Sequence, residues 1–354
     1  MFKSLRRFEF ASIESRHYAR RVNITTSIWL ITVAFILGLL LFDLLTSTRK
    51  PHDVSFKEAT FWSIFYIAVA VGFGVWVRSD FGAQFGKEYF AAYIVEKSLS
   101  MDNLFVFIII LTNFAVPTIY HQRVLMVGIV LALIMRAIFI AIGAAALEAF
   151  AFTFVIFGAI LLWTGIKLMQ HWDEDPDLTD NAIVNFAQRK MAFTDKYHGT
   201  KLFIKENGKR FATPLLLVMI AIGATDLLFA LDSIPATFGV TQEPYLVFAA
   251  NAFALLGLRA LYFLMKNLVQ KLIYFSLGLS FILVFIGIKL IMLWIYQEFG
   301  SVPKISTNFS LVVIGLILLV STVASLIKSK LDPTAIGHAG RMSEGKKDRK
   351  NDGK

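Results

Sequence analysis

The sequence predicts an all-α, polytopic membrane protein of about nine transmembrane helices with an inverted three-helix repeat. Three observations carry that reading. Apolar residues fill 57% of the 354 positions, and the mean hydropathy is +0.66. Several apolar runs reach the ~20 residues a helix needs to cross the hydrocarbon core. Two blocks of these runs carry the same charged landmarks in the same order.

In chain order, residues 1–24 form a basic N-terminal tail. The apolar run behind it is too long for a signal-peptide core and no small-residue cleavage site follows it, so it reads as an anchor. Glu9 and Glu14 in the tail argue against an organellar transit peptide. A transmembrane domain over 25–328 then holds expected spans at 25–46, 58–77, 90–113, 124–147, 150–169, 212–236, 245–266, 273–295 and 308–328. A polar loop, 170–211, separates the fifth span from the sixth. Residues 329–354, ending "GRMSEGKKDRKNDGK", are charged and are expected to be disordered.

The formal charge of +10 is spread over tails and loops instead of forming one basic and aromatic patch, which argues against a nucleic-acid partner and leaves the lipid bilayer as the expected one. With nine spans, the side bearing the C-terminus has 19 Lys and Arg and the other side 9, six of them in the N-terminal tail. The positive-inside rule therefore puts the C-terminus and the 170–211 loop in the cytoplasm of a bacterial plasma membrane. The chain has no cysteine, which removes disulfides, thiolate metal sites and Cys nucleophiles. Its six histidines fall in tails, in loops or at a span end.

The repeat emerges on setting "EKSLSMDNLFVF" in the third span beside "DLLFALDSIPATF" in the sixth: Glu96 with Asp102 matches Asp226 with Asp232 at the same spacing. "ALIMRAIF" around Arg136 answers "ALLGLRALYF" around Arg259, and "WTGIKLM" answers "FIGIKLI". Residues 90–169 and 212–295 thus read as two copies of one three-helix unit. An odd number of crossings per copy makes the second enter the membrane from the opposite face, the arrangement of many transporters, and turns the two acidic segments towards each other.

A carboxylate at the bilayer centre costs about 2.5–3.5 kcal/mol, so acids kept there need a partner or a purpose. The candidate metal ligands are Glu96, Asp102, Asn103, Asp226, Asp232 and Ser233, with Asp43, Asn251, Arg136 and Arg259 as auxiliary residues. Six residues turn a helix by about 120° past the start, so each acid pair shares one face only where the helix is interrupted. Pro235 is expected to loosen the backbone beside Asp232, and symmetry suggests a break near Asp102. This donor set holds only oxygen, which suits Mn²⁺, Mg²⁺ or Ca²⁺ as a transported ion, with no permanently bound cofactor. The plain alternative is that Arg136 and Arg259 pair with the acids and only hold the bundle together. Lys97, Lys167 and Lys289 are expected to snorkel. The loop "HWDEDPDLTD", 171–180, lacks the glycine and final glutamate of a helix-loop-helix calcium site and reads as a solvated acidic loop.

At these residues the chain resembles the TerC family and, within it, the Alx-like manganese exporters related to the LysE-like transporters. The motifs that carry the resemblance are "YIVEKSLSMDNLFVF", "FALDSIPA" and "NAFALLGLRALYFL". The resemblance implies a membrane exporter of metal cations, Mn²⁺ foremost, and assigns its acidic motifs to Glu96, Asp102, Asn103, Asp226, Asp232 and Ser233. One departure is Gly223, which stands where the family commonly has a glutamate.

The leading reading is therefore a transporter exporting divalent cations in exchange for protons. The alternative is a non-transporting scaffold or metal sensor that delivers metal to partner proteins. An enzyme is not expected: the G-x-G-D, H-E-x-x-H and G-x-S-G motifs of intramembrane proteases are absent.

Overall fold

The computed structural model describes residues 24–48, 55–171, 184, 186, 189–194, 196–206, 209–265, 271–300 and 302–332. The basic tail, the acidic loop beyond His171 and the charged C-terminal tail lie outside the described residues. Five helices come first: α1 Thr26–Thr48, α2 Phe56–Phe81, α3 Ala83–Asn113, α4 Thr118–Ala149 and α5 Thr153–Gln170. After the loop follow α6 Pro214–Phe238, α7 Pro244–Leu255, α8 Leu258–Met265, α9 Phe275–Phe299 and α10 Thr307–Leu331.

Lipid explains the distribution of apolar surface. Leu30, Ile31 and Leu41 on α1 and Val312, Leu316 and Leu319 on α10 are exposed, whereas nearly every residue of α7 is buried. A backbone in lipid has no water to bond, so each crossing must be helical. Seven helices, α1, α2, α4, α5, α6, α9 and α10, are long and apolar enough to cross a membrane, and the α7–α8 pair makes an eighth if counted as one span. Helix α3 has 31 residues, ample length for a crossing, but carries Glu88, Glu96, Lys97 and Asp102.

The break in the seventh expected span corrects the sequence reading of one helix over 245–266. α7 and α8 meet at 46°. Gly257 lies between them at φ +77°, where a Cβ would come within 2.8 Å of the Tyr66 side chain, so the turn needs glycine on two counts. Lys97 Nζ donates to the Ala254 carbonyl at 3.1 Å, satisfying an acceptor that the end of α7 leaves open. The breaks expected beside the acids are absent. α3 is continuous past Asp102, and α6 runs through Pro235 to Phe238. Pro235 forfeits the bond to the Leu231 carbonyl and its ring crowds that group, yet the helix continues through it to Phe238.

The described residues are nearly all helical, with one small β element. In the 170–211 loop, β1 Phe203–Glu206 and β2 Lys209–Ala212 form a two-stranded antiparallel hairpin with Phe203 opposite Ala212. The loop also packs back on the bundle: Tyr197 Oη donates to the Phe114 carbonyl, at the α3–α4 turn, at 2.7 Å.

Contacts between the two sets of three spans are reciprocal: α3 packs on α7, α4 on α6, and α5 on α9. Between α5 and α9 the backbones nearly touch. A Cβ on Gly158 would lie 2.8 Å from the Gly287 carbonyl, one on Gly287 would lie 2.9 Å from the Gly158 carbonyl, and one on Gly165 would lie 3.1 Å from the Ser280 carbonyl. Numbers rise along one helix as they fall along the other, so α5 and α9 are antiparallel. α4 and α6 run in the same direction, since Gly128 faces Ile222 and Gly143 faces Phe238.

Candidate metal-ion site

Two of the predicted acids converge on one arginine. Glu96 from α3 and Arg136 from α4 have no solvent exposure, and Asp226 from α6 is buried. Arg136 Nη1 donates to Glu96 Oε1, and Arg136 Nη2 lies 3.4 Å from Asp226 Oδ1. Thr237 Oγ1, near the end of α6, donates to Glu96 Oε2 at 3.1 Å. Asn103 joins the group with its side-chain amide turned to suit its neighbours: the nitrogen then donates to the Leu99 carbonyl at 2.9 Å and the oxygen accepts from Arg136 Nη2 at 3.0 Å. Three helices are thereby tied at one buried point.

Two carboxylates against one guanidinium leave an excess negative charge when both are ionised. Charges taken out of water are costly unless paired and fully hydrogen-bonded. Here the bonding is incomplete. Asp226 Oδ2, Arg136 Nε, Ser233 Oγ and both amide atoms of Asn251 are buried without a partner. Such an arrangement keeps oxygen lone pairs available and a cationic side chain in place between acids.

Asp102 and Asp232 stand apart from this point, as the 120° rotation of an unbroken helix requires. Ser276 Oγ on α9 donates to Asp102 Oδ1 at 3.0 Å, and the Thr164 hydroxyl of α5 neighbours Asp232. Each second acid thus faces a hydroxyl on the third helix of the other set, the Thr164 hydroxyl itself donating to the Ile160 carbonyl at 2.9 Å. Among the described residues no group of three or more Asp, Glu or His side chains is gathered closely enough to hold a metal. The structure therefore brings Glu96, Asn103 and Asp226 together and does not bring Asp102 and Asp232 into the same cluster.

Asp43 of α1 pairs with Arg259 of α8. Its carboxylate takes two bonds from Arg259, Nη2 at 2.6 Å and Nε at 3.2 Å, with both side chains buried. The two arginines thus part ways: Arg136 holds the α3 and α6 acids, while Arg259, on the far side of the α7–α8 break, holds α1. The lysines also differ from expectation. Lys97 caps α7, and Lys289 is buried mid-helix in α9, whereas Lys167 is exposed over the Trp163 ring. His121 is buried near the start of α4, its two ring nitrogens facing the Val116 carbonyl and the Tyr262 hydroxyl. Where the family glutamate would stand, a Cβ on Gly223 would meet Leu131 at 2.7 Å, so that space is closed by an apolar side chain.

Thr237 was not singled out by sequence, although it lies four residues after Ser233, one helical turn along the face that meets Glu96.

Comparison with known proteins agrees with the motifs. A family model described as the integral membrane protein TerC family matches residues 81–332. A membrane protein of Myxococcus xanthus is 40% identical over 89% of this chain and 97% of its own length. One of Mycobacterium tuberculosis is 43% identical over 84% of this chain and 78% of its own. A protein of Photorhabdus laumondii named "Putative membrane-bound redox modulator Alx" is 36% identical over 73% of this chain and 84% of its own. No solved structure matches. The match spans α3 to α10 and with them every acid of the buried site, so the chain belongs to the TerC family of integral membrane proteins.

Proposed function

We propose that the protein exports divalent metal cations, Mn²⁺ foremost, in exchange for protons, across a bacterial plasma membrane with its C-terminus in the cytoplasm. The observation that carries this reading is the meeting of Glu96 and Asp226, equivalent positions of the two matching segments, on Arg136 in a dry centre. Counting α3 and the α7–α8 pair as crossings gives nine spans. The antiparallel α5–α9 contact supports an inverted repeat: Gly287 meets Gly158 as Gly165 meets Ser280, the reciprocity expected of copies related by a two-fold axis.

In the empty site Arg136 serves as the internal counter-ion. A divalent ion brings more charge to the same oxygens than one guanidinium, so it competes with Arg136 for Glu96 and Asp226, with Asn103, Ser233 and Asn251 as further oxygen donors. A proton held between the acids when the metal is absent leaves when it arrives, which makes metal binding weaker as pH falls. Asp102, bonded to the Ser276 hydroxyl, and Asp232 flank the centre as ligands on the way in or out.

The ion pair itself favours a second reading, a scaffold or sensor whose buried pairs only fix the bundle. The redox role in the name of the Photorhabdus relative does not extend to thiol chemistry by this cysteine-free chain. Mn²⁺ flux into proteoliposomes separates the readings: a transporter moves the ion, and a scaffold leaves the vesicles no faster than protein-free ones.

A further inference from the structure

Helices α9 and α10 run antiparallel and touch through small residues: a Cβ on Gly278 would lie 2.5 Å from Ser321 Oγ, and the Tyr274 amide donates to Ser325 Oγ at 2.9 Å. Beside this contact, on the outside of the bundle, lies a cavity of about 410 Å³ lined by Tyr274, Gly278 and Phe281 of the α9 wall and Leu316, Val320 and Ala324 of the α10 wall. Phe281, Leu316 and Val320 are exposed there. The serines beside it are turned onto the backbone. Ser321 Oγ donates to the Leu318 carbonyl at 3.1 Å and Ser325 Oγ to the Ser321 carbonyl at 2.7 Å. The walls therefore present carbon, which suits an apolar occupant and disfavours a hydrated one.

Shape narrows the choice. Spread over the ~12 Å that α10 rises from Leu316 to Ala324, the cavity of about 410 Å³ has a cross-section of ~34 Å², under half that of a helix ~10 Å across. A single hydrocarbon chain fits such a slot, and a helix of another protein does not.

Both walls run into lysine at the same end. On α10, Leu316, Val320 and Ala324 recur every four residues and the next step is Lys328, which rises from the groove's own face. On the other wall Lys271 stands three residues before Tyr274, just ahead of α9, and is exposed, as is Lys330. The described acid at this end is Asp332, whose Oδ2 takes a bond from Lys328 Nζ at 3.0 Å, a partly exposed pair of the kind that contributes little. Three ammonium groups against one carboxylate leave this mouth positive. At the far ends of the same helices, Glu298 and Lys304 balance in charge.

We infer that the α9–α10 groove binds an anionic phospholipid on the membrane face that bears the C-terminus, its acyl chain in the slot and its phosphate against Lys271, Lys328 and Lys330. Basic side chains between membrane helices recognise headgroup phosphates, and long lysine stems reach them from apolar surface. The lipid also has a structural consequence. α10 packs chiefly on α9 and α3, so a chain wedged along its seam with α9 completes its packing. This site stands independently of the transport reading.

The test uses full-length protein purified in detergent, with phosphatidylglycerol or phosphatidylcholine of identical acyl chains added, read by native mass spectrometry and by unfolding temperature. Wild type is expected to retain one phosphatidylglycerol and to melt several degrees higher with it than with phosphatidylcholine. K271Q/K328Q/K330Q is expected to lose on the order of tenfold in that headgroup preference. K304Q, at the other end of the same helices, is expected to behave as wild type. A324F places a ring in the slot and is expected to lose retention of both lipids; should it fail to elute as a monodisperse species, the lysine variants decide alone. Equal retention of the two lipids by wild type, an unchanged preference in the triple variant, or full retention by folded A324F overturns the site. So does a lipid-free wild type that is dimeric and that A324F makes monomeric, which would assign the groove to a second copy of the chain.

Discussion

Arg136 of α4 and Glu96 of α3 form an ion pair in which neither side chain has any exposure to solvent. Because Asp226 of α6 shares the same guanidinium, this one residue bridges acids from both matching segments. Removing one partner of a buried pair typically costs about 3–5 kcal/mol, because a charge is left without compensation. R136Q is therefore expected to lower the unfolding temperature in detergent markedly. The double variant E96Q/R136Q, which removes one of the two stranded charges and leaves Asp226, is expected to be more stable than R136Q alone. Equal destabilisation of the two would mean that the pair is not coupled.

Gly287 and Gly165 occupy matching positions of the α5–α9 contact, and a Cβ on either would press on a carbonyl of the facing helix. G287A and G165A are each expected to destabilise the protein by about 1–3 kcal/mol through overpacking. G315A on α10, where the added carbon meets nothing within 4 Å, is expected to be neutral or slightly stabilising. Thermal unfolding of the three variants side by side checks the contrast.

Asp43 and Arg259 fasten α1 to the α8 side of the break by two hydrogen bonds. D43N and R259Q are expected to be non-additive, the double variant losing less than the sum of the singles by about 1–3 kcal/mol. A double-mutant cycle on unfolding midpoints measures this. Simple additivity would show that the two residues act independently.

Single cysteines placed at Thr200 and at Ser343 in this cysteine-free chain report the side of the membrane directly. Both are expected to resist an impermeant thiol reagent in intact cells and to react after lysis. Labelling of both from outside would reverse the orientation.

The spans were legible because a backbone in lipid must bond to itself, which forces long apolar helices whose lengths are fixed by the bilayer. α3 was visible through its motif more than through hydropathy, since its acids interrupt the apolar run. The convergence of Glu96 and Asp226 was legible in their matching motifs, which put the two acids at the same place in two similar segments. The backbone breaks were misplaced for a local reason. Pro235 is a stronger breaker than Gly257 in general, but α6 continues through it to Phe238, whereas Gly257 stands where the chain bends under Tyr66. The hairpin had a signal that went unused, the Asn207-Gly208 dipeptide between two short alternating segments. The burial of Lys289 was hidden because its sequence motif is shared with Lys167, and only the cross-helix neighbours differ.

The most direct measurement is Mn²⁺ flux through purified protein in sealed vesicles, comparing wild type with E96Q and D226N. Both substitutions keep side-chain size and remove one charge from the Arg136 centre. Wild type is expected to move Mn²⁺ well above protein-free vesicles, and both variants are expected to lose at least tenfold in rate while still eluting as folded protein. Transport by both variants at the wild-type rate, or no transport by the wild type, would contradict a metal-carrying role for Glu96 and Asp226.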